Sequence, residues 1–263
     1  MPTPALATAP NPGNLLLGRG KLYFDRFLTN TTTKTGELDM GNVTSLEITP
    51  TVQIKEKYES MDPASLLYAR GVTRQDTKVK VTGDEFSLAN LAVAILGTQA
   101  QLVQSSVSTV TAGAVAPTTA VNGAWYPTGY RNITVTDAKM GSTAGVLGTD
   151  YNVDAVTGRI QVFTTGAWSA MSAAITWDGS AAATTYNIVQ GSTVGTVDGY
   201  LRFIGAPIKG PTFEVECWHV SFTPTGNLGF IADEFGNWTL EGLLIADQIN
   251  HPTEPVYHVI QRA

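Results

Sequence analysis

Between Thr44 and Glu59 the chain alternates with period two. Leu46, Ile48, Pro50, Val52 and Ile54 hold the even positions, while Glu47, Thr49, Thr51, Gln53, Lys55, Lys57 and Glu59 hold the odd ones. Side chains of a strand point to opposite faces in turn, so this pattern specifies one strand with a dry and a wet face. At about 3.3 Å per residue it reaches on the order of 40 Å, twice the usual strand. Pro50 cannot donate to a ladder, which puts the strand at a sheet edge or bends it there. Asp76–Thr82 alternates in the same way, with Thr77, Val79 and Val81 against Asp76, Lys78, Lys80 and Thr82. The two runs predict a long hairpin. Its tip, from Asp62-Pro63 to Gly71, carries the N-cap, first-position proline and stop glycine of one or two helical turns.

One helix is expected over about 86–96. Ser87 is its N-cap, Phe86 and Leu91 have staple spacing, and Gly97 ends it. Leu88, Leu91, Ala92, Ile95 and Leu96 form an apolar face suited to packing on a sheet. Strand-type runs return at Tyr200–Ile204, Phe213–Phe222, Trp238–Ile245 and Val256–Gln261. In Phe213–Phe222 the apolar parity switches from Phe213, Val215, Cys217 to Trp218, Val220, Phe222, which requires a β-bulge or burial on both faces. The class is all-β with a single packed helix.

The texture changes over 100–185. Only Asp137, Asp150, Asp154 and Asp178 are acidic there, and only Arg131, Lys139 and Arg159 basic. Short β runs (Asn132–Thr136, Ile160–Thr164, Ala174–Trp177) alternate with Gly, Ala, Ser and Thr turns, among them Thr157-Gly158. A small inserted β domain without a helix is expected at 100–185, within a core domain of 15–99 and 186–263. Residues 1–14 carry Pro2, Pro4, Pro10 and Pro12 and no Lys or Arg, which predicts an extended arm rather than a signal peptide.

Whole-chain composition narrows the function. Of 263 residues 43% are hydrophobic but only 14% charged, against roughly 25% in an ordinary soluble protein. So few charges suggest that much of the surface is covered, hence an oligomer. A net charge of -6 without a basic run disfavours gripping nucleic acid. One cysteine, Cys217, excludes an internal disulfide and a multi-cysteine metal site. No apolar stretch reaches the roughly 18 residues of a membrane span.

Catalytic patterns are weak. Gly18-Arg19-Gly20-Lys21 resembles the end of a phosphate loop, yet Leu22 replaces the needed Ser or Thr, Leu15 the needed Gly, and a strand follows. His219, His251 and His258 read as structural. Asp150 and Asp154 lie too far apart in an extended segment to share a cation and read as solvated turn residues. Neither an enzyme nor a cofactor or metal site is expected.

Arg19-Gly20-Lys21-Leu22-Tyr23-Phe24-Asp25, Gly41-Asn42-Val43-Thr44-Ser45-Leu46-Glu47-Ile48 and Phe235-Gly236-Asn237-Trp238-Thr239-Leu240-Glu241-Gly242 open strands around the long hairpin and the helix. This arrangement, over about 15–98 and 186–263, resembles the tail tube fold of long-tailed bacteriophages, a β-sandwich or barrel. The resemblance implies stacked hexameric rings in a virion tail, assembled in the host bacterial cytoplasm and lined by a continuous β-barrel. It also implies partners: further copies of the chain, a tape measure protein, and terminator and tail tip proteins, with duplex DNA in transit but not bound. Acidic lining would repel phosphate. The lining candidates are Glu47, Glu59, Glu214, Glu216 and Glu241. Lys55, Lys57, Asp62, Arg70, Lys78 and Lys80 on the hairpin are candidates for contacts between subunits or rings. The alternative is a β-rich module binding carbohydrate or a host surface through Trp125-Tyr126-Pro127 and Trp168.

Overall fold

The computed structural model describes residues 11–61, 65–115, 119–169, 172–225, 228–231 and 233–262. In chain order the elements are β1 (Gly20–Arg26), β2 (Leu38–Asp39), β3 (Val43–Tyr58), β4 (Leu67–Gly83), α1 (Leu88–Ala94), β5 (Thr98–Gln104), β6 (Val107–Ala114), β7 (Trp125–Pro127), β8 (Ile133–Met140), β9 (Thr143–Ala144), β10 (Tyr151–Asp154), β11 (Arg159–Val162), β12 (Ile175–Ala181), β13 (Thr184–Gln190), β14 (Val197–Gly205), β15 (Thr212–Pro224), β16 (Trp238–Leu244) and β17 (Tyr257–Arg262). The protein is mainly β, with α1 the only α-helix among the described residues. Two compact units divide the chain: one ends at Gln99 and resumes at Val189, the other is Ala100–Ile188. A two-stranded ladder of β5 and β13 carries the chain out of the first unit and back.

The first unit is one antiparallel sheet in the order β2-β1-β14-β15-β16-β4-β3, with β17 also paired to β15. Alternation decides its faces. Val79 and Val81 on β4, Leu240 on β16, Val220 and Phe222 on β15, and Leu22 and Phe24 on β1 share a core with Trp238 and Val93. Trp238 lies over Gly83, its register partner, where a Cβ would collide with the indole. The parity switch in β15 is a β-bulge: Gly199 faces Val220 and Leu201 faces Cys217, so Trp218 and His219 oppose Tyr200 alone. There the sheet also changes neighbour, β17 pairing with Thr212–Cys217 and β16 with Val220–Pro224. Pro50 sits on β3, an edge strand, as a residue without an N–H should.

The local readings of the hairpin tip and of the helix are corrected. The hairpin tip is not helical from Leu67 to Gly71, which are β4 residues in register with β3; Asp62 and Pro63 lie outside the described residues. Cross-strand pairing extends the ladder to Tyr58–Leu67 and overrides the local stop signal. The inward side of the helix is rotated from the expected one: Ala92 is buried and Leu96 packs on the core as expected, but Leu88 is 39% exposed, and Asn90 and Val93 are buried instead. The Asn90 amide donates to the carbonyls of Met40 (2.8 Å) and Glu85 (3.0 Å), a tether that apolar periodicity cannot reveal. Ser87 does cap the helix, accepting from Asn90 N–H. Gly97 closes it differently from the expected stop: Leu96 adopts the left-handed conformation, and Gly97 donates to Ala92. Gly97 is a glycine because a Cβ would meet the carbonyl of Gln190.

Cys217 is buried beside Leu201 in this core, and burial pushes its thiol up to about 12. It should therefore resist alkylation near about pH 8 in the native protein and react fully in denaturant. Prompt labelling of the folded chain, followed with a thiol reagent, would contradict this packing.

The second unit stacks a four-stranded sheet (β6-β12-β8-β9) and a three-stranded one (β10-β11-β7) around Trp168, Trp177, Ile160, Val162, Ile175 and Met140. Asp150 is not the solvated turn residue its spacing suggests. It is fully buried, and its carboxylate accepts from the N–H of Val146 (2.8 Å) and of Trp168 (3.2 Å). Two fixed donors replace the water it loses.

Candidate functional site

Past Pro50 and Thr77, β3 and β4 pair only with each other and form a ribbon out to Tyr58 and Leu67. Directly opposed residues of an antiparallel pair share a face. One face therefore continues the core parity, as Val52/Gln75, Ile54/Val72, Glu56/Arg70 and Tyr58/Leu67. The other carries Thr51/Asp76, Gln53/Arg74, Lys55/Gly71 and Lys57/Ala69. The first face is largely apolar but uncovered, with Val52 47%, Tyr58 54% and Val72 65% exposed. Met61 and Leu66 extend the apolar surface at the tip. A two-stranded ribbon is at best marginally stable in water, and exposed apolar patches of this kind are uncommon on monomers.

The same parity leads inward to a groove. Val43, Leu46 and Ile48 of β3 form one side, and Leu22, Phe203, Phe213, Val215 and Val259 the other, around a cavity of about 570 Å³. Both β3 and β17 flank it with an edge that is unpaired among the described residues, and Ile260 of β17 is exposed. Unpaired edges of this length template pairing with another chain.

The sequence-derived charges separate into three places. Glu47, Lys80 and Glu241 lie in one cross-strand row on the face away from the core, Lys80 between two glutamates and 4.0 Å from Glu241. Lys78 lies one row over, between Thr49 and Leu243. Lys55, Lys57 and Arg70 are on the ribbon, where Arg70 is 3.7 Å from Glu56; Glu59 lies just past Tyr58, far from the other acidic candidates. Asp62 lies outside the described residues.

Glu214 and Glu216 share the Glu47 face but are neutralised. Arg262 donates to Glu214 (2.9 Å), which is buried. Arg202 bridges Glu216 (3.1 Å) and Glu37 (3.4 Å) and donates to the Tyr200 hydroxyl (3.1 Å). That hydrogen bond raises the Arg202 pKa, so the network stays charged. Acidic residues so paired act as struts of the sheet, whereas Glu47 is exposed and accepts from the Ser45 hydroxyl, and Glu241 is half-exposed beside Lys80.

Sequence spacing gave no sign that the three histidines converge at the β15 bulge. His251 stacks on Trp218 at 3.6 Å between ring centroids, and His258 meets the same indole edge-on while its Nε2 lies 3.1 Å from Glu216. His219 packs edge-on to Phe27, and its buried Nε2 has no hydrogen-bond partner. Among the described residues no three His, Cys, Asp or Glu side chains are grouped to hold a metal ion.

In the second unit Trp168 is fully buried, stacked on Tyr151 with its indole N–H donated to Thr143, and so offers no face to a ligand. Trp125 is 41% exposed. A family model described as "Protein of unknown function UCP028589" matches residues 15–255, and the chain belongs to that family. No curated protein matches the chain.

Proposed function

We propose that the protein is a structural subunit that assembles with its own copies into stacked, six-fold rings, forming the tube of a phage tail through which the genome passes. The observation that carries this reading is the ribbon of β3 and β4 beyond Pro50 and Thr77, a long two-stranded extension whose apolar face is exposed among the described residues. Unpaired edges on β3 and β17 support it, since side-by-side sheet pairing in a ring removes both. Glu47 and Glu241 outnumber Lys80 in the open row, and such a lining lets a polyanion pass without binding it. On this reading the chain does no catalysis, and its further partners are tape measure, terminator and tail tip proteins.

Negative-stain electron microscopy of the concentrated protein, and of virions that contain it, tests this directly. Hollow tubes or six-fold rings with a channel wide enough for duplex DNA are expected. Strictly monomeric particles at high concentration, with no tube in virions, would remove the proposal.

A further inference from the structure

The outer face of the three-stranded sheet in the second unit is a flat polar platform. Its inner side packs Tyr126, Ile160, Val162, Tyr151 and Val153 into the core, so Trp125, Pro127, Arg159, Gln161, Asn152 and Asp154 alternate outward. Register sets them in two rows across the strands: Asn152–Gln161–Trp125 and Asp154–Arg159–Pro127. With strands about 4.8 Å apart, each row spans roughly 10 Å, and the rows lie about 7 Å apart.

The chemistry of the rows selects a ligand. Trp125 presents an indole, and Arg159 sits over that ring at 5.5 Å, holding it in place. Asn152 is exposed and its amide makes no hydrogen bond among the described residues, and Gln161 donates to the carbonyl of Gly123 (3.0 Å) through its nitrogen. The charged pair cancels itself: Arg159 is 3.0 Å from Asp154, and Arg159 also donates to the Thr157 hydroxyl. Asp154 is held at a pKa of about 2, first by the Thr157 hydroxyl and then by Arg159, so the pair stays ionised and closed at neutral pH. An aromatic plate beside open amides, with no net charge, suits neither phosphate nor a basic peptide. Neutral sugars offer C–H faces to an aromatic ring and hydroxyls to amides.

We infer that the Trp125–Gln161–Asn152 row, flanked by Arg159–Asp154, is a binding site for a neutral glycan. The inference is independent of ring assembly, which rests on residues of the other unit.

The full-length protein would be titrated with chitohexaose, cellohexaose and maltohexaose, followed by tryptophan fluorescence and calorimetry. Binding of at least one, with a dissociation constant of about 0.1–1 mM, is expected. Trp125→Ala should weaken it at least about tenfold, and Asn152→Ala about threefold to fivefold. Asn152 is exposed, so its variant keeps the fold, and unchanged far-ultraviolet dichroism would confirm this for both. Tube formation should be normal in both variants. The inference is overturned if none of the three oligosaccharides binds, if neither variant weakens binding, or if only a polyanion such as heparin binds and does so in a salt-dependent way.

Discussion

Replacing Val52, Ile54 and Val72 together by lysine should leave the subunit folded and abolish its assembly. All three are exposed on the ribbon's apolar face, so their loss should change subunit stability by no more than about 0.5 kcal/mol each. Buried between copies, each would contribute about 1.5 kcal/mol or more. Three such losses raise the dissociation constant of one contact about a thousandfold or more. A repeating assembly multiplies that loss at every interface, so sedimentation should find only monomers at concentrations where the parent forms tubes. The opposite face is the control. Thr51→Lys and Gln53→Lys add charge at the same distance along the ribbon but remove no apolar area, and should permit assembly at low net cost. Tubes from the triple variant at the parent's concentration would show that the apolar face is not the contact.

Much of the first unit could be read from alternation because β3, β4 and the bulged β15 each carry an apolar row, and period two records that directly. The apolar face of the ribbon was equally legible, since Val52 and Ile54 continue the row of Leu46 and Ile48. What covers that row was not legible, because core and contact surface use the same residues. The errors have a common source in tertiary partners. Asn90 is inside the first unit because two carbonyls receive its amide, and Asp150 is inside the second because two N–H groups face it. Glu214 and Glu216 read as free acids because the arginines that pair with them, Arg202 on β14 and Arg262 on β17, come beside them only through strand pairing. The glycan platform was half visible: Trp125 stood out as an aromatic, but Asn152 and Gln161 join it only through the register of β10, β11 and β7.

Gly158→Ala should destabilise the second unit far more than Gly123→Ala, although both glycines have a positive φ. Gly158 ends the turn from β10 to β11 with φ +69°, in the left-handed region. An alanine there costs about 1 kcal/mol for the conformation alone. At this position a Cβ would also overlap the carbonyl oxygen of Tyr130, a backbone atom that no side-chain rotation can move aside. The turn cannot shift freely either, because Gly158 donates to Asp154 (2.9 Å) and accepts from the N–H (2.9 Å) and hydroxyl (2.8 Å) of Thr128. Together these place the cost at about 3 kcal/mol or more, a fall in melting temperature of over about 10 °C for a unit of this size. Gly123→Ala separates the two causes. Gly123 has φ +78° but open space where its Cβ would go, so only the conformational cost of about 1 kcal/mol applies. Thermal unfolding followed by tryptophan fluorescence reads the difference through Trp168 and Trp177 in this core, with the thiol reactivity of Cys217 separating out the first unit, whose Trp238 shares the signal. Equal losses in the two variants would mean that the turn relaxes away from Tyr130. Because the same turn sets Arg159 opposite Asp154, Gly158→Ala should also weaken glycan binding, whereas Gly123→Ala should leave the two rows in register.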